Sequence, residues 1–320
     1  VFSNLGHMLT ALADTLMIGR LGAQPLASAS LSANIFSVLL VSGIGLSLGI
    51  TPLTSGAYAK YDFRQISGLL SNGLILYTVA SIILAGICFW AAPVLYYLNQ
   101  PPAVVNSAIP YFRLLLISFV PLMIFQGSKQ FAEGLALTKV AMYVSVGANI
   151  LNVVLNYGFI FGKMGFPELG LNGAGWATTI ARTLMAITMT AYLVTPYIKQ
   201  KVKLAFRWDM LNLFDTGRLF RIGFPIGLQF LFEVSAFSGA TLIVGLIGAK
   251  ALSPHQIALT LATITYMAAN GLAAAATVTV SNQKGKGNYR QLRMSAFSVY
   301  HLTGIFMGIC GILLITLSNW

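Results

Sequence analysis

Long apolar stretches recur along this chain, divided by short polar breaks that carry most of its charged residues. A membrane-spanning helix needs about 20 apolar residues. Nine stretches meet that length: residues 1–22, 31–56, 68–95, 108–131, 140–162, 174–197, 221–248, 256–280 and 294–317. The expected fold is an all-α integral membrane protein with about nine transmembrane helices. Composition agrees, with 57% of residues hydrophobic, 8% charged and a mean hydropathy of +0.80. Soluble domains carry roughly 25% charged residues, so a soluble fold is excluded.

A net charge of +12 raises the question of nucleic acid, and the placement of the charges answers it. The breaks after the second, fourth, sixth and eighth stretches hold 14 Lys and Arg residues, among them Lys60, Arg64, Lys129, Lys139, Arg218, Arg221, Lys284 and Arg290. The breaks on the other side hold 3, namely Arg20, Lys163 and Lys250. This asymmetry follows the positive-inside rule. It predicts a multi-pass protein with a cytoplasmic N-terminus, a lipid partner and no nucleic acid. Cys88 and Cys310 fall inside apolar stretches without metal or redox spacing.

Shifted by 226 residues, the chain matches itself. LMIGRLGAQPL (16–26) overlies LIVGLIGAKAL (242–252), and Lys60, Arg64 and Gln65 overlie Lys286, Arg290 and Gln291. Thirteen of the 51 positions from Thr15 to Gln65 are identical without a gap. Apolar composition does not favour the Gly, Lys, Arg and Gln matches, which makes this a repeat. Six stretches separate the copies, so both point the same way across the membrane, and two such halves can enclose a cavity. The division is residues 1–200 for a first lobe, 201–220 for a connector and 221–320 for the start of a second lobe. The connector is either an amphipathic interfacial helix or a plain charged linker. A second half as long as the first would run to about residue 450, so a fragment of a longer protein is expected.

Five of the seven acidic residues lie in breaks or near helix ends, where water reaches them. Asp14 and Glu233 do not. Asp14 is six residues from Arg20, about 9 Å along a helix. Glu233 is twelve residues from Arg221 and seventeen from Lys250, about 18 and 25 Å from the two ends. A charge at the bilayer centre costs about 2.5–3.5 kcal/mol. A carboxylate kept there should face a cavity, with a proton or Na⁺ as its natural partner. In the repeat, Glu233 falls on His7, two helical turns from Asp14 and on the same face.

Asn149, Asn152 and Asn156 are spaced three and four apart and share one face of their helix. They serve either hydrogen bonds between helices or ligation of a cation or substrate. Arg182, near mid-membrane, can pair with Asp14, bind an anionic group or snorkel. Gly45 and Gly49 form a small-xxx-small pair suited to close helix packing.

Several passages resemble the multidrug and toxic compound extrusion (MATE) family, in its NorM-like branch. They are ADTLMIGRLG (13–22), EGLALTK (133–139), LNYGFIFGKMGFPELGLNGAGWAT (155–178), GFPIGLQFLFEVSAF (223–237) and AKALSPHQIAL (249–259). The resemblance implies twelve helices in two six-helix lobes, in the bacterial inner membrane. It implies export of cationic, amphipathic small molecules in exchange for Na⁺ or H⁺, by a protein that works as a monomer when full length. It places Asp14 and Glu233 as the coupling acids, with Glu233 as the Na⁺ ligand. From their spacing and depth rather than from the resemblance, Asn149, Asn152, Asn156 and Arg182 are candidates to line the substrate pathway or the first lobe's cavity, and Arg182 is not part of the family pattern. Asn156 stands where an archaeal-type branch carries an acid, and the tenth-helix acid of the NorM-like pattern has no counterpart here. A lipid-linked-sugar flippase would want several cavity arginines, where this chain offers Arg182. No paired catalytic spacing supports an intramembrane enzyme, and no cofactor beyond the coupling ion is implied.

Overall fold

The computed structural model describes residues 2–98, 100–202, 211–247 and 249–317. These are α-helical, with no strand among the described residues: α1 Phe2–Gly19, α2 Ala23–Leu48, α3 Ile50–Ala59, α4 Phe63–Ala91, α5 Pro102–Gly134, α6 Thr138–Phe161, α7 Leu171–Leu193, α8 Pro196–Val202, α9 Leu213–Ile247, α10 Ala249–Gly285 and α11 Tyr289–Leu317. A 3₁₀ turn, Ala92–Leu98, follows α4. α9 begins before the expected residue 221, so the end of the expected connector forms its first turns. Residues 203–210 of that connector lie outside the described residues.

Seven helical stretches are long and apolar enough to cross a membrane, where nine were expected. The two that fall short have identifiable reasons. The described apolar part of α1 is short, Thr10–Gly19. α7 reads LNGAGWATTIARTLMAITMTAYL, in which Gly, Thr, Asn and Arg182 dilute the apolar residues.

The helix α5 is the hub, packed against α2, α4 and α7. Phe119, Phe131 and Ala132 on it are fully buried. Where no water is at hand, a hydroxyl must find its acceptor in the protein. Ser28 and Ser32, four apart on α2, donate to the α5 carbonyls of Val104 (2.9 Å) and Ala108 (3.1 Å).

The repeat found in the sequence recurs in detail. α2 starts at Ala23 and α10 at Ala249, α3 ends at Ala59 and α10 at Gly285, and α4 starts at Phe63 and α11 at Tyr289. Each pair differs by 226. The intervening turns are built alike. Asp62 caps α4 by accepting the Gln65 N–H at 3.0 Å, and Asn288 does the same for Gln291 at 3.1 Å. Tyr61 and Gly287 both take positive φ, 56° and 71°. The amides of Asp62 and Asn288 reach back to the carbonyls of Ala57 and Gln283, both at 3.1 Å.

The two copies meet at the end that carries the basic loops. The Ser55 hydroxyl donates to the Val278 carbonyl at 2.8 Å. Gly56 neighbours Ser281, and Ala59 neighbours Gly285. Residue numbers rise together on α3 and α10, so these two matching segments run in the same direction. A glycine seam joins α2 to α9. A Cβ on Gly45 would lie 2.5 Å from the Gly227 Cα, and one on Gly49 would lie 2.8 Å from the Gly223 nitrogen. Beside it, the Asn72 side-chain oxygen on α4 accepts from the Asn212 amide (2.9 Å) and the Thr216 hydroxyl (3.0 Å), fixing the start of α9.

Gly45→Ala should therefore force the seam apart. The expected loss is about 1–3 kcal/mol, typical of overpacking. Gly86→Ala, where a Cβ meets nothing within 4 Å, should leave stability unchanged. Thermal unfolding of both variants in detergent checks the contrast.

Candidate functional site

Asp14 lies on α1, which packs along α6. Its carboxylate accepts a hydrogen bond from the Asn156 side-chain amide at 2.5 Å. The same amide nitrogen donates to the Asn152 oxygen at 3.2 Å, and the Asn152 amide donates in turn to the Thr178 hydroxyl of α7 at 3.4 Å. Asn152 and Asn156 are one turn apart on α6, which places their side chains one above the other. Asn156 is fully buried while Asp14 is half-buried. The result is a polar column from the carboxylate across three helices. The Asn156 oxygen is buried without a hydrogen-bond partner, which leaves an acceptor free beside the carboxylate. Asn149 shares the face and is buried, but its amide nitrogen has no partner and stands outside the column.

Arg182 follows Thr178 by one turn of α7. It donates to the Ser118 hydroxyl of α5 at 2.6 Å, and its guanidinium lies 5.1 Å from the centre of the Phe36 ring on α2. The Ser118 hydroxyl spends its own proton on the Leu115 carbonyl at 2.6 Å, so it meets Arg182 as an acceptor. Ion pairs among the described residues join Lys129 to Glu133 and Arg218 to Asp215. Arg182 and Asp14 form no such pair, though each lies in the other's field. Because Ser118 and Phe36 hold Arg182 inside the bundle, it does not snorkel. Tyr111, buried on α5 two turns from Ser118, lies in the field of both charges.

Glu233, on α9, is half-buried, and the Tyr266 phenol of α10 is its near neighbour. The two acids thus have separate partners: Asn156 for Asp14, Tyr266 for Glu233. No group of three or more His, Cys, Asp or Glu side chains gathers among the described residues. An Na⁺ at Glu233 would therefore draw on one carboxylate, the Tyr266 oxygen and further oxygen donors.

Sequence reasoning named Asp14, Asn152, Asn156 and Arg182 but missed Phe36, Tyr111, Ser118 and Thr178. The four-residue step from Thr178 to Arg182 was a usable signal. The α5 and α2 residues had none, because helix packing alone brings them in.

A double-mutant cycle tests the column. Asp14→Ala and Asn156→Ala should be non-additive by more than about 0.5 kcal/mol, as expected for contacting groups. Thermal unfolding of the two single variants and the double variant in detergent measures the coupling.

Known proteins resemble the chain over most of its length. The MatE family model matches residues 1–158 and 225–320, two stretches whose starts lie close to one repeat apart. A probable multidrug resistance protein NorM from Idiomarina loihiensis is 30% identical over 321 residues, covering 99% of this chain and 69% of that protein. The multidrug resistance protein NorM of Vibrio cholerae is 28% identical over 292 residues, covering 91% of this chain and 64% of that protein. The chain thus spans about two thirds of the length of these relatives. In fold it is similar to the eukaryotic MATE transporter AtDTX14, with a TM-score of 0.86 at 20% identity over 99% of this chain and 70% of that one. It is also similar to a MATE family transporter of the MOP superfamily in an outward-facing conformation, with a TM-score of 0.85 at 18% identity over 99% and 70% of the two chains. The helices, the repeat and these matches agree: the chain belongs to the MatE family of membrane transporters.

Proposed function

We propose that the complete protein exports cationic, amphipathic small molecules in exchange for Na⁺ or H⁺, with Asp14 and Glu233 as the coupling acids. The observation that carries this reading is the Asp14 carboxylate hydrogen-bonded to the fully buried Asn156 amide within an apolar helix bundle. A structural carboxylate is satisfied on all sides. Here the neighbouring Asn156 oxygen is left without a partner, which suits a bound proton or cation. The names of the relatives support multidrug efflux. The basic loops support a cytoplasmic placement of the seam end and of the N-terminus, in a bacterial inner membrane.

A ligand shifts a two-state equilibrium only through its different affinity for the two states. In this reading, Asp14 and Glu233 take Na⁺ or H⁺ when the cleft is open outward and release it when the cleft is open inward. The organic cation does the reverse. Na⁺ is the favoured ion at Glu233, because the Tyr266 hydroxyl adds an oxygen there, and because Asn156 supplies an amide rather than a second acid beside Asp14.

The test is efflux from vesicles containing the complete gene product, with Na⁺ and pH gradients imposed separately. Glu233→Gln keeps size and hydrogen-bonding reach while removing charge and titration. It should insert normally and lose ion-driven efflux. Asp14→Asn should do the same. Wild-type efflux by Glu233→Gln under both gradients overturns the role of Glu233. Efflux driven by pH alone and indifferent to Na⁺ reassigns the ion to H⁺.

A further inference from the structure

The repeat keeps Lys60, Arg64 and Gln65 as Lys286, Arg290 and Gln291, and neither the fold nor the proposed ion coupling uses these cations. The turns that carry them are held by the Asp62 and Asn288 caps and by backbone bonds. Lys60, Arg64, Lys286 and Arg290 are all exposed. The ion pairs among the described residues lie elsewhere, at Lys129–Glu133 and Arg218–Asp215. The two loops, residues 60–65 and 286–291, hold four cations and one acid, Asp62, whose counterpart in the second copy is the neutral Asn288. Four cations with unspent donors thus stand at the end of the bundle where the copies meet.

The packing of α3 on α10 brings the two sets together. A Cβ on Gly285 would lie 2.7 Å from the Ala59 Cβ. Ala59 and Gly285 are the same position in the two copies, 226 residues apart. A residue that touches its own counterpart lies on the axis relating the copies. Lys60 and Lys286 each follow that contact by one residue, about 3.8 Å along the chain, and so flank the axis. Arg64 and Arg290 come four residues later, in the first turns of α4 and α11. Lys284, also exposed, adds a fifth cation beside Gly285. Like charges gathered in this way repel, and an anion placed on the axis relieves both loops at once. Tyr61 and Tyr289, in the same loops, are 73% and 68% exposed. Exposed tyrosines favour the membrane–water interface, which puts the cations at headgroup depth.

We propose that the two loops together bind one anionic phospholipid headgroup with two phosphates, one met by Lys60 and Arg64 and the other by Lys286 and Arg290. The guanidinium fork and the lysine point charge are the two usual means of holding a phosphate, and basic pockets between membrane helices take such lipids. The loops belong to different copies, so one headgroup spans both only while the Ser55–Val278 contact beside them is closed. Bound lipid therefore favours the closed arrangement of this end through its different affinity for the two states. The site goes beyond the export reading and does not rest on Asp14 or Glu233.

The test titrates the purified complete protein in detergent with diphosphatidylglycerol and with phosphatidylglycerol at equal phosphate concentration, counting bound lipid by native mass spectrometry. Wild-type protein should bind the two-phosphate lipid at least about tenfold more tightly, since each basic residue near an anionic headgroup is worth about fivefold. Removing the cations of either loop, by Lys60→Gln with Arg64→Gln or by Lys286→Gln with Arg290→Gln, should abolish that preference. Phosphatidylglycerol, which needs one loop, should stay within about threefold in both variants. Lys139→Gln, an exposed cation on another basic loop, should change neither lipid. All these residues are exposed, and Lys60→Arg with Lys286→Arg, which keeps the charge, should keep the preference. Equal binding of the two lipids by wild-type protein overturns the proposal, as does a preference that survives in either glutamine pair. Equal loss from Lys139→Gln would reduce the effect to general surface charge and overturns it too. Pyrophosphate and the deacylated headgroup separate the sources. Either one binding as tightly as the lipid would make this a site for a soluble anion and refutes the lipid assignment.

Discussion

Hydrocarbon offers no acceptor to a hydroxyl and no solvation to a charge, so the polar side chains in this bundle depend on other parts of the chain for partners. That constraint explains α5 at the hub. Its carbonyls of Val104 and Ala108 receive the serine hydroxyls of α2. Its Ser118 receives Arg182 from α7, and its Leu114 carbonyl accepts from Thr179, also on α7, at 3.3 Å. In water such contacts would exchange with solvent. In a bilayer they define which helix lies beside which.

Much of this was legible before any coordinates. Hydropathy located the helices because lipid demands long apolar runs. Helix spacing put Asn152 and Asn156 on one face, and an offset of 226 marked a repeat, whose two copies share a turn with the same cap and backbone bond at Asp62 and Asn288. The parallel sense of the copies, inferred from an even number of intervening stretches, reappears in the matched register of α3 and α10.

What was hidden lies between helices far apart in sequence. Nothing near Ser118 or Phe36 shows that Arg182 will settle there, 64 and 146 residues away, since rotation of α5 and α2 decides it. Tyr266 gave no sign of meeting Glu233, because both sit in stretches where apolar and aromatic residues dominate. The count of nine spans is not confirmed, for a different reason. α7 keeps threonines and an arginine that face its neighbours, and a hydropathy average scores them as if they faced lipid.

The seam of Gly45 and Gly49 against Gly227 and Gly223 places backbone directly on backbone. Such a surface has no interlocking side chains. Parting it requires no rotamer to swing aside and exposes no hydrophobic area to water, because lipid or the opposite wall takes up the dispersion contacts that are lost. The smooth joint therefore sits where the two copies press together, and the hydrogen bonds of Ser55 and Asn72 beside it act as the catches. The mechanical character of this end of the molecule is that of a smooth backbone bearing with two small latches, at Ser55 and Asn72.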